Sequence, residues 1–464
     1  MKNGALLIGC LLLALHATAV ESMRAAGAAD FDDPQVIAGF QAIFTCGARF
    51  NASRPLAAIL REELADVATQ LPRPLVIADA GIVTTRTPQG QERIAAWRPG
   101  VGCTLLPPGA TRSDVINLPF VMQPHPGFDP TLTEWPQGDL MDPPAPHDAL
   151  DAVVTSAFDP EVQESEPFTV GVVVVADDRI VAERYRDGFD PWSGYRTWST
   201  AKSFTHALVG TLVQSGALQL DAPAPIPEWQ LEDDPRSAIT LRHLLQMSSG
   251  LASEGANSNA IYFGGQDVLT ATTTTGLEHA PGEHFRYANN DTLLLTRAIR
   301  HVLADDLAYL RLPNVALFHP LGMTSTVMET DHRGNFISSS QVYTTARDLA
   351  RFGLLYLHDG SFGGRRILPE GWAELARTRA PAHEPQELPG GGFMGYGHHF
   401  WRFEGVPGVP DGTFTTAGHK GQFSTVVPSE GVVIVRTGID PDGTRWNQAA
   451  FVARVLEALE TDDP

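Results

Sequence analysis

Ser199 and Lys202 stand three positions apart in the run Trp198-Ser199-Thr200-Ala201-Lys202-Ser203-Phe204, after which Phe204, Leu208 and Leu212 recur at every fourth residue. That spacing predicts a helix beginning at or near Ser199, with Lys202 on the same face as the serine. A hydroxyl at that place lies beside unpaired backbone N–H groups, and an amine buried against the positive end of a helix dipole has its charged form disfavoured. Such a pair makes an activated nucleophile, in which the amine accepts the hydroxyl proton and the oxygen attacks an acyl carbon. Ser-x-x-Lys alone is weak, and the alternative is an N-capping serine followed by a solvated lysine. Lysine usage argues against that alternative. Of the 33 Lys plus Arg residues only Lys2, Lys202 and Lys420 are lysine. Arginine does not deprotonate in a protein, so a lysine retained in an Arg-biased chain is a candidate chemical tool.

Two further stretches carry residues of the right kind. Tyr287-Ala288-Asn289 follows the turn-like Pro281-Gly282-Glu283 and precedes an apolar helical pattern at Leu293, Leu294 and Leu295. A phenol there can relay a proton, and the amide can hold a substrate carbonyl. The alternative is a buried tyrosine beside a helix-capping asparagine. Gly418-His419-Lys420-Gly421-Gln422 runs directly into the strand-like Phe423 to Val427. Its glycines let backbone approach a ligand, and a cationic side chain there can recognise a carboxylate or steady developing charge; a tight hairpin turn is the other reading.

Taken together, Ser-x-x-Lys, Tyr-x-Asn and Lys/His-x-Gly occur in the order found in the serine β-lactamase and penicillin-binding-protein superfamily. The chain resembles its branch of class C β-lactamases, DD-peptidases, family VIII esterases and 6-aminohexanoate-dimer hydrolases. The stretches Ile239 to Leu245, Ser248-Ser249-Gly250-Leu251, Pro320-Leu321-Gly322-Met323 and Thr345 to Gly353 are similar to other landmarks of that family, and the likeness covers roughly residues 147 to 460. The resemblance implies an α+β fold of the β-lactamase/transpeptidase type: a five-stranded antiparallel sheet flanked by helices, plus an all-helical subdomain, with the site between them. It also implies that Ser199 attacks, that Lys202 takes its proton and that Tyr287 assists the leaving group and later activates water. The backbone N–H groups of Ser199 and Gln422 would hold the oxyanion, while Asn289 and His419 orient the substrate beside Gly421. Lys202 and Tyr287 would titrate as a pair, which leaves the principal base open.

The third motif departs from the penicillin-processing members, with His419 where they usually carry lysine and Lys420 at the middle position. An imidazole is a weaker partner for a β-lactam carboxylate than an ammonium. The expected activity is therefore that of an exported serine hydrolase acting on a small ester or amide. A β-lactamase or DD-peptidase is the alternative among enzymes. A non-hydrolysing penicillin-binding-type receptor is the alternative of another class. The absence of a Gly-x-Ser-x-Gly elbow makes other serine hydrolase plans less economical.

Composition bounds the remaining possibilities. With 464 residues, 43% hydrophobic and 19% charged, the chain reads as a soluble globular protein. A net charge of −21 disfavours a nucleic-acid partner. The sequence contains no His-Glu-x-x-His, no zinc-spaced cysteines and no phosphate loop ending in Gly-Lys-Ser/Thr, so neither a metal nor another cofactor is expected. Residues 1–19, with the apolar run Ala5 to Ala19 ending in Ala17-Thr18-Ala19, resemble a secretory signal, which places the mature protein in the periplasm or medium; a membrane is involved only if that segment is retained as an anchor. Leu7-Ile8-Gly9-Cys10 resembles a lipoprotein box, but the apolar run continues past it. Removal of the signal leaves Cys46 and Cys103, an even pair expected to form a disulfide in an oxidising compartment.

The elements that must position these residues fall into segments. Residues 30–106 alternate apolar runs with polar turns and read as a small separate N-terminal module. Residues 107–146, rich in Pro, Gly and Asp, read as a linker or wrapping arm. Residues 147–464 would be the hydrolase domain. Within it, Val170 to Val175 and Ile180-Val181 flank Asp177-Asp178 as a hairpin, and Gln422 to Val427 and Val432 to Val435 flank Pro428 to Gly431 as another. Helical spacing recurs at the far end from Trp446 to Leu459. Strands at both ends of a helical middle predict one sheet closed by distant segments.

Overall fold

The computed structural model describes residues 33–65, 71–163, 166–231, 233–252, 259–441, 444 and 446–461; the expected signal at 1–19 lies outside them. In the N-terminal part, Asp33 caps the helix Pro34–Phe50 by accepting from the Gln35 N–H, a placement that satisfies one of the helix's unpaired donors. This helix packs on an antiparallel sheet in the order β1 Leu75–Ile77, β2 Ile82–Arg86, β3 Glu92–Arg98 and β4 Gly102–Leu105. Cys46 on the helix and Cys103 on β4 form a disulfide. Closing a loop across a sequence separation of 57 restricts the unfolded chain, so the Cys46→Ala/Cys103→Ala double variant is expected to lose about 4 kcal/mol, read from its denaturant midpoint.

Only part of this region's core is its own, the cluster of Ile82, Ile94, Ala96, Leu106 and Leu118. Val36, Phe40, Phe44, Cys46 and Cys103 share one buried cluster with Ile261, Tyr262, Phe263, Leu293 and Ile337 from the larger part of the chain. Short apolar runs cannot reveal such sharing, because burial against a distant helix and burial within a module leave the same local pattern. The segment from 107 to 146 meets the larger part of the chain at several points. The buried Arg351 guanidinium bonds Pro136 O at 2.7 Å, Gly138 O at 2.6 Å and Asp139 Oδ1 at 2.6 Å, and stands 4.7 Å from the Trp135 ring. Val121 of the same segment enters the main core.

Asp177 and Asp178 both adopt left-handed backbone, with φ of 49° and 60°. A two-residue turn of that kind matches the right-handed twist of the strands it joins. The strands are β5 Thr169–Ala176 and β6 Arg179–Tyr185. A ribbon of β7 Tyr195–Arg196, β8 Val327–Met328 and β9 Val342–Thr344 follows, with β9 in the middle, and β10 Ser361–Phe362 pairs β11 Arg365–Arg366. The chain ends through β12 Gln386–Glu387, β13 Phe393–Tyr396, β14 Trp401–Glu404, β15 Phe414–Gly418, β16 Gln422–Val427 and β17 Val432–Gly438, then the helix Gln448–Glu460.

One antiparallel sheet of 8 strands joins the two ends in the order β12-β13-β14-β15-β16-β17-β5-β6. The resemblance implied five strands. The sheet is larger because the segment from Gln386 to Glu404 folds as β12, β13 and β14 and extends the β15 edge, where Trp401 faces Thr415 and Arg402 faces Phe414. β17 pairs β5, with Val433 opposite Val175 and Val435 opposite Val173. Side chains alternate between faces along each strand. Val173, Val175, Val433 and Val435 point into the main core with the helices Ala201–Gln214 and Ala346–Leu357. Val172, Val174, Val432 and Ile434 point outward, under the helices Asp148–Ser156 and Gln448–Glu460. The sheet is thus covered on both faces, and β15 and β16 meet the turn Trp198–Thr200 that opens the helix Ala201–Gln214.

Candidate active site

Ser199 sits in the tight turn Trp198–Thr200 that leads into the helix Ala201–Gln214. The turn is held from two sides. Arg196 and Tyr195 pair with β9 at Tyr343 and Thr344, and Thr200 Oγ1 bonds Gln422 O at 3.1 Å and Thr416 Oγ1 at 3.3 Å. Trp198 has φ of +50°, a conformation that a bulky residue holds only when its surroundings impose it. Here its ring lies 5.3 Å from Phe44 of the N-terminal helix and 5.1 Å, edge to face, from His419. The Arg196 guanidinium adds a third wall, 4.3 Å from the Phe44 ring and 5.0 Å from Trp198.

Lys202 is 1% exposed. Its Nζ stands 3.1 Å from Ser199 Oγ, 2.7 Å from Asn289 Oδ1 and 2.8 Å from the main-chain carbonyl of Ser339. Burial pushes its pKa down to about 7, since the site withholds the water that would solvate an ammonium. A neutral amine carries two hydrogens and one lone pair. The charged amine donates to Asn289 Oδ1, Ser339 O and Ser199 Oγ; once neutral, with Asn289 and Ser339 still accepting its two hydrogens, it has its lone pair left for the Ser199 hydroxyl.

The Tyr287 hydroxyl is also hydrogen-bonded to Ser199, and burial pushes its pKa up to about 12. Its ring lies 5.0 Å from Lys202 Nζ and stacks on Trp401 at 5.7 Å. Asn289 is the first residue of the helix Asn289–Leu303, whose cap position is Ala288; its side chain meets the lysine instead of capping the helix. Behind this layer, His399 Nε2 faces Thr292 Oγ1 at 3.0 Å, and its Nδ1 faces Leu245 O at 2.8 Å. His398 and His399 thus tie the β13–β14 connection to the helical layer, His398 through Leu375 O and His399 through Leu245 O and Thr292.

The third motif reaches the same place through the β15–β16 hairpin, in which Gly418 pairs with Gln422. A Cβ on Gly418 would fall 2.1 Å from Thr197 O, so the strand end and the serine turn touch backbone to backbone. His419 is exposed and rests on Trp198. Gln422 turns its side chain to Gly438 O. Gly421 has φ of +88°, and a Cβ there would fall 1.5 Å from Arg436 Nη1. That arginine is buried, bonds Gly421 O at 3.0 Å and pairs with Asp440 at 2.7 Å. The need for glycine at 421 comes from this ion pair behind the hairpin. Gly421→Ala is expected to cost about 3 kcal/mol or more, seen as a lowered Tm.

Ser199, Lys202, Tyr287 and Asn289 therefore lie in one connected cluster, with His419, Gly421 and Gln422 on the strand edge beside it. Trp401, Phe44 and the Ser339 carbonyl are neighbours that sequence reasoning missed. A main-chain carbonyl has no residue-type signal, and the two aromatics come from segments outside the three motifs. Among the described residues no group of His, Cys, Asp and Glu is placed to hold a metal, and no helix is long and apolar enough to cross a membrane.

The sheet, the helical layer and this cluster define a serine hydrolase of the β-lactamase type. A family model described as Beta-lactamase matches residues 154–444, and the chain belongs to that family. It is 26% identical over 343 residues to the 6-aminohexanoate-dimer hydrolase of Paenarthrobacter ureafaciens, covering 68% of this chain and 86% of that protein. A solved family VIII carboxylesterase matches with a TM-score of 0.53 at 15% identity, over 68% of this chain and 98% of its own. A penicillin-binding protein homolog from Caulobacter crescentus matches with a TM-score of 0.53 at 17% identity, over 69% and 98%. At such identities the structural likeness is one of fold.

Proposed function

We propose that residues 147–464 form a hydrolase domain that cleaves an ester or amide through a covalent acyl-enzyme on Ser199, and that the protein works outside the cytoplasm. The observation that carries this reading is the buried Lys202 amine, whose Nζ is held by Asn289 Oδ1 and the Ser339 carbonyl and stands 3.1 Å from Ser199 Oγ. Ser199 Oγ attacks the acyl carbon as its proton passes to Lys202. The resulting oxyanion is held by the N–H groups of Ser199 and Gln422, and Asn289 and His419 orient the substrate. Collapse breaks the bond to the leaving group, which takes the proton from Lys202 by way of Tyr287. Water then adds to the acyl carbon, gives its proton back along the same route and releases Ser199. The pKa directions support Lys202 as the base. At neutral pH an amine near 7 is partly unprotonated, whereas a phenol near 12 stays protonated and can only relay.

His419 in place of lysine supports esters or linear amides over β-lactams, and the match to a 6-aminohexanoate-dimer hydrolase is in keeping with it. The Cys46–Cys103 bond supports export, since disulfides persist in oxidising compartments. The test is intact-protein mass and product absorbance after mixing the protein with p-nitrophenyl acetate, p-nitrophenyl butyrate and nitrocefin. Ester turnover with little nitrocefin cleavage is expected. Rapid nitrocefin turnover would restore the β-lactamase, and a stable Ser199 adduct without turnover would point to the receptor.

A further inference from the structure

Lys202 is held at Ser339 by a main-chain carbonyl, 2.8 Å away, and a carbonyl is only as well placed as the chain that carries it. The preceding carbonyl, Ser338 O, is tied to the lysine helix by Thr205 Oγ1 at 3.1 Å. The Ser339 side chain is anchored separately: its Oγ lies 2.6 Å from the Tyr262 hydroxyl. Ser339 is fully buried and Tyr262 is 6% exposed, so this bond is shielded from competing water. Burial raises the Tyr262 pKa, which keeps the phenol protonated and the bond intact across the working pH range.

Tyr262 is itself positioned by the N-terminal part of the chain. It belongs to the short helix Asn259–Phe263, and the neighbouring Phe263 ring lies 4.9 Å from Phe40 and 5.9 Å from Phe44. A Cβ on Gly39 would fall 1.9 Å from Phe263 O, so the two helices meet backbone to backbone. Gln341 Nε2, from the chain just after Ser339, adds a bond to Tyr262 O at 3.4 Å. The helix Pro34–Phe50 lies outside the residues matched by the family model, which begin at 154.

We propose that Tyr262 is a positioning residue for the Lys202 amine, acting through Ser339, and that the helix Pro34–Phe50 holds it in place. The inference rests on the reading of Lys202 as the proton acceptor. A neutral amine keeps its lone pair on Ser199 only while both acceptors of its hydrogens stay fixed. If the Ser339 carbonyl can drift, the amine rotates and water enters beside it. Proton transfer then slows and the ammonium is better solvated, while substrate binding is untouched.

The test compares Tyr262→Phe, Ser339→Ala, the double variant and Lys202→Ala in the full chain, with p-nitrophenyl butyrate as substrate from pH 5 to 9. Each single variant is expected to lower kcat about tenfold, the worth of one buried hydrogen bond, with KM within about twofold. The acid limb of kcat should move upward by about half a pH unit. The double variant should be no slower than the slower single, because both remove the same bond. An unchanged kcat and acid limb in Tyr262→Phe beside an inactive Lys202→Ala would overturn the positioning role and leave the base assignment standing. Losses that add in the double variant, with no movement of the acid limb, would reduce Tyr262 to packing. Activity retained by Lys202→Ala would overturn the base assignment itself.

Discussion

Ser199→Ala is expected to abolish ester turnover, by about 10⁴-fold or more, and to remove any acyl adduct from the intact-mass spectrum. Loss of a nucleophile costs this much because binding and the oxyanion donors remain but have no covalent intermediate to stabilise. The substitution should leave the fold alone. Thr200, not Ser199, makes the bonds to Thr416 and Gln422 that hold the turn against the sheet edge, and Ser199 is only half-buried. A Tm within about 2 °C of wild type is therefore expected. If the alanine variant and wild type turn over esters alike, Ser199 is not the nucleophile and the acyl-enzyme reading falls with it.

Lys202 governs the second large effect, and its sign follows from its pKa. The amine must be neutral to accept the Ser199 proton. Burial places its pKa at about 7, so kcat/KM in the free enzyme should be flat above that pH and fall about tenfold per unit below it. Lys202→Arg should not rescue an inactive Lys202→Ala, although it keeps the charge, because a guanidinium does not deprotonate. Stability carries the same signature. The folded amine binds its proton more weakly than the unfolded one, with a usual value near 10.4, so between about pH 7 and 10.4 the unfolded state holds more protons and wild-type stability rises with pH. Lys202→Met lacks this linkage. The stability of wild type relative to Lys202→Met should thus improve from pH 7 to 10, and a difference that is flat with pH would mean that the amine is not desolvated.

Local spacing made some of these features legible. Asp177-Asp178 between two valine-rich runs announces its hairpin because few other residues tolerate two successive left-handed conformations. Ser199 and Lys202 are brought together by the helix repeat itself, so their contact follows from a separation of three. Cys46 and Cys103, the pair expected to bridge, are joined.

What the sequence determined by itself is therefore what lies within one turn of helix or one hairpin: the strands β5, β6, β16 and β17, the residue types at the site, and the family. Tertiary structure decided the rest. It sets the register in which β17 pairs β5, adds β12 to β14 beyond β15, and sets the Ser339 carbonyl and Asn289 as acceptors on Lys202. It also places the N-terminal helix against Tyr262, Phe263 and Trp198. The physical reason is common to all four. Backbone carbonyls are chemically identical along the chain, and an apolar side chain states that it will be buried but not against what, so such partners are chosen by packing the whole molecule.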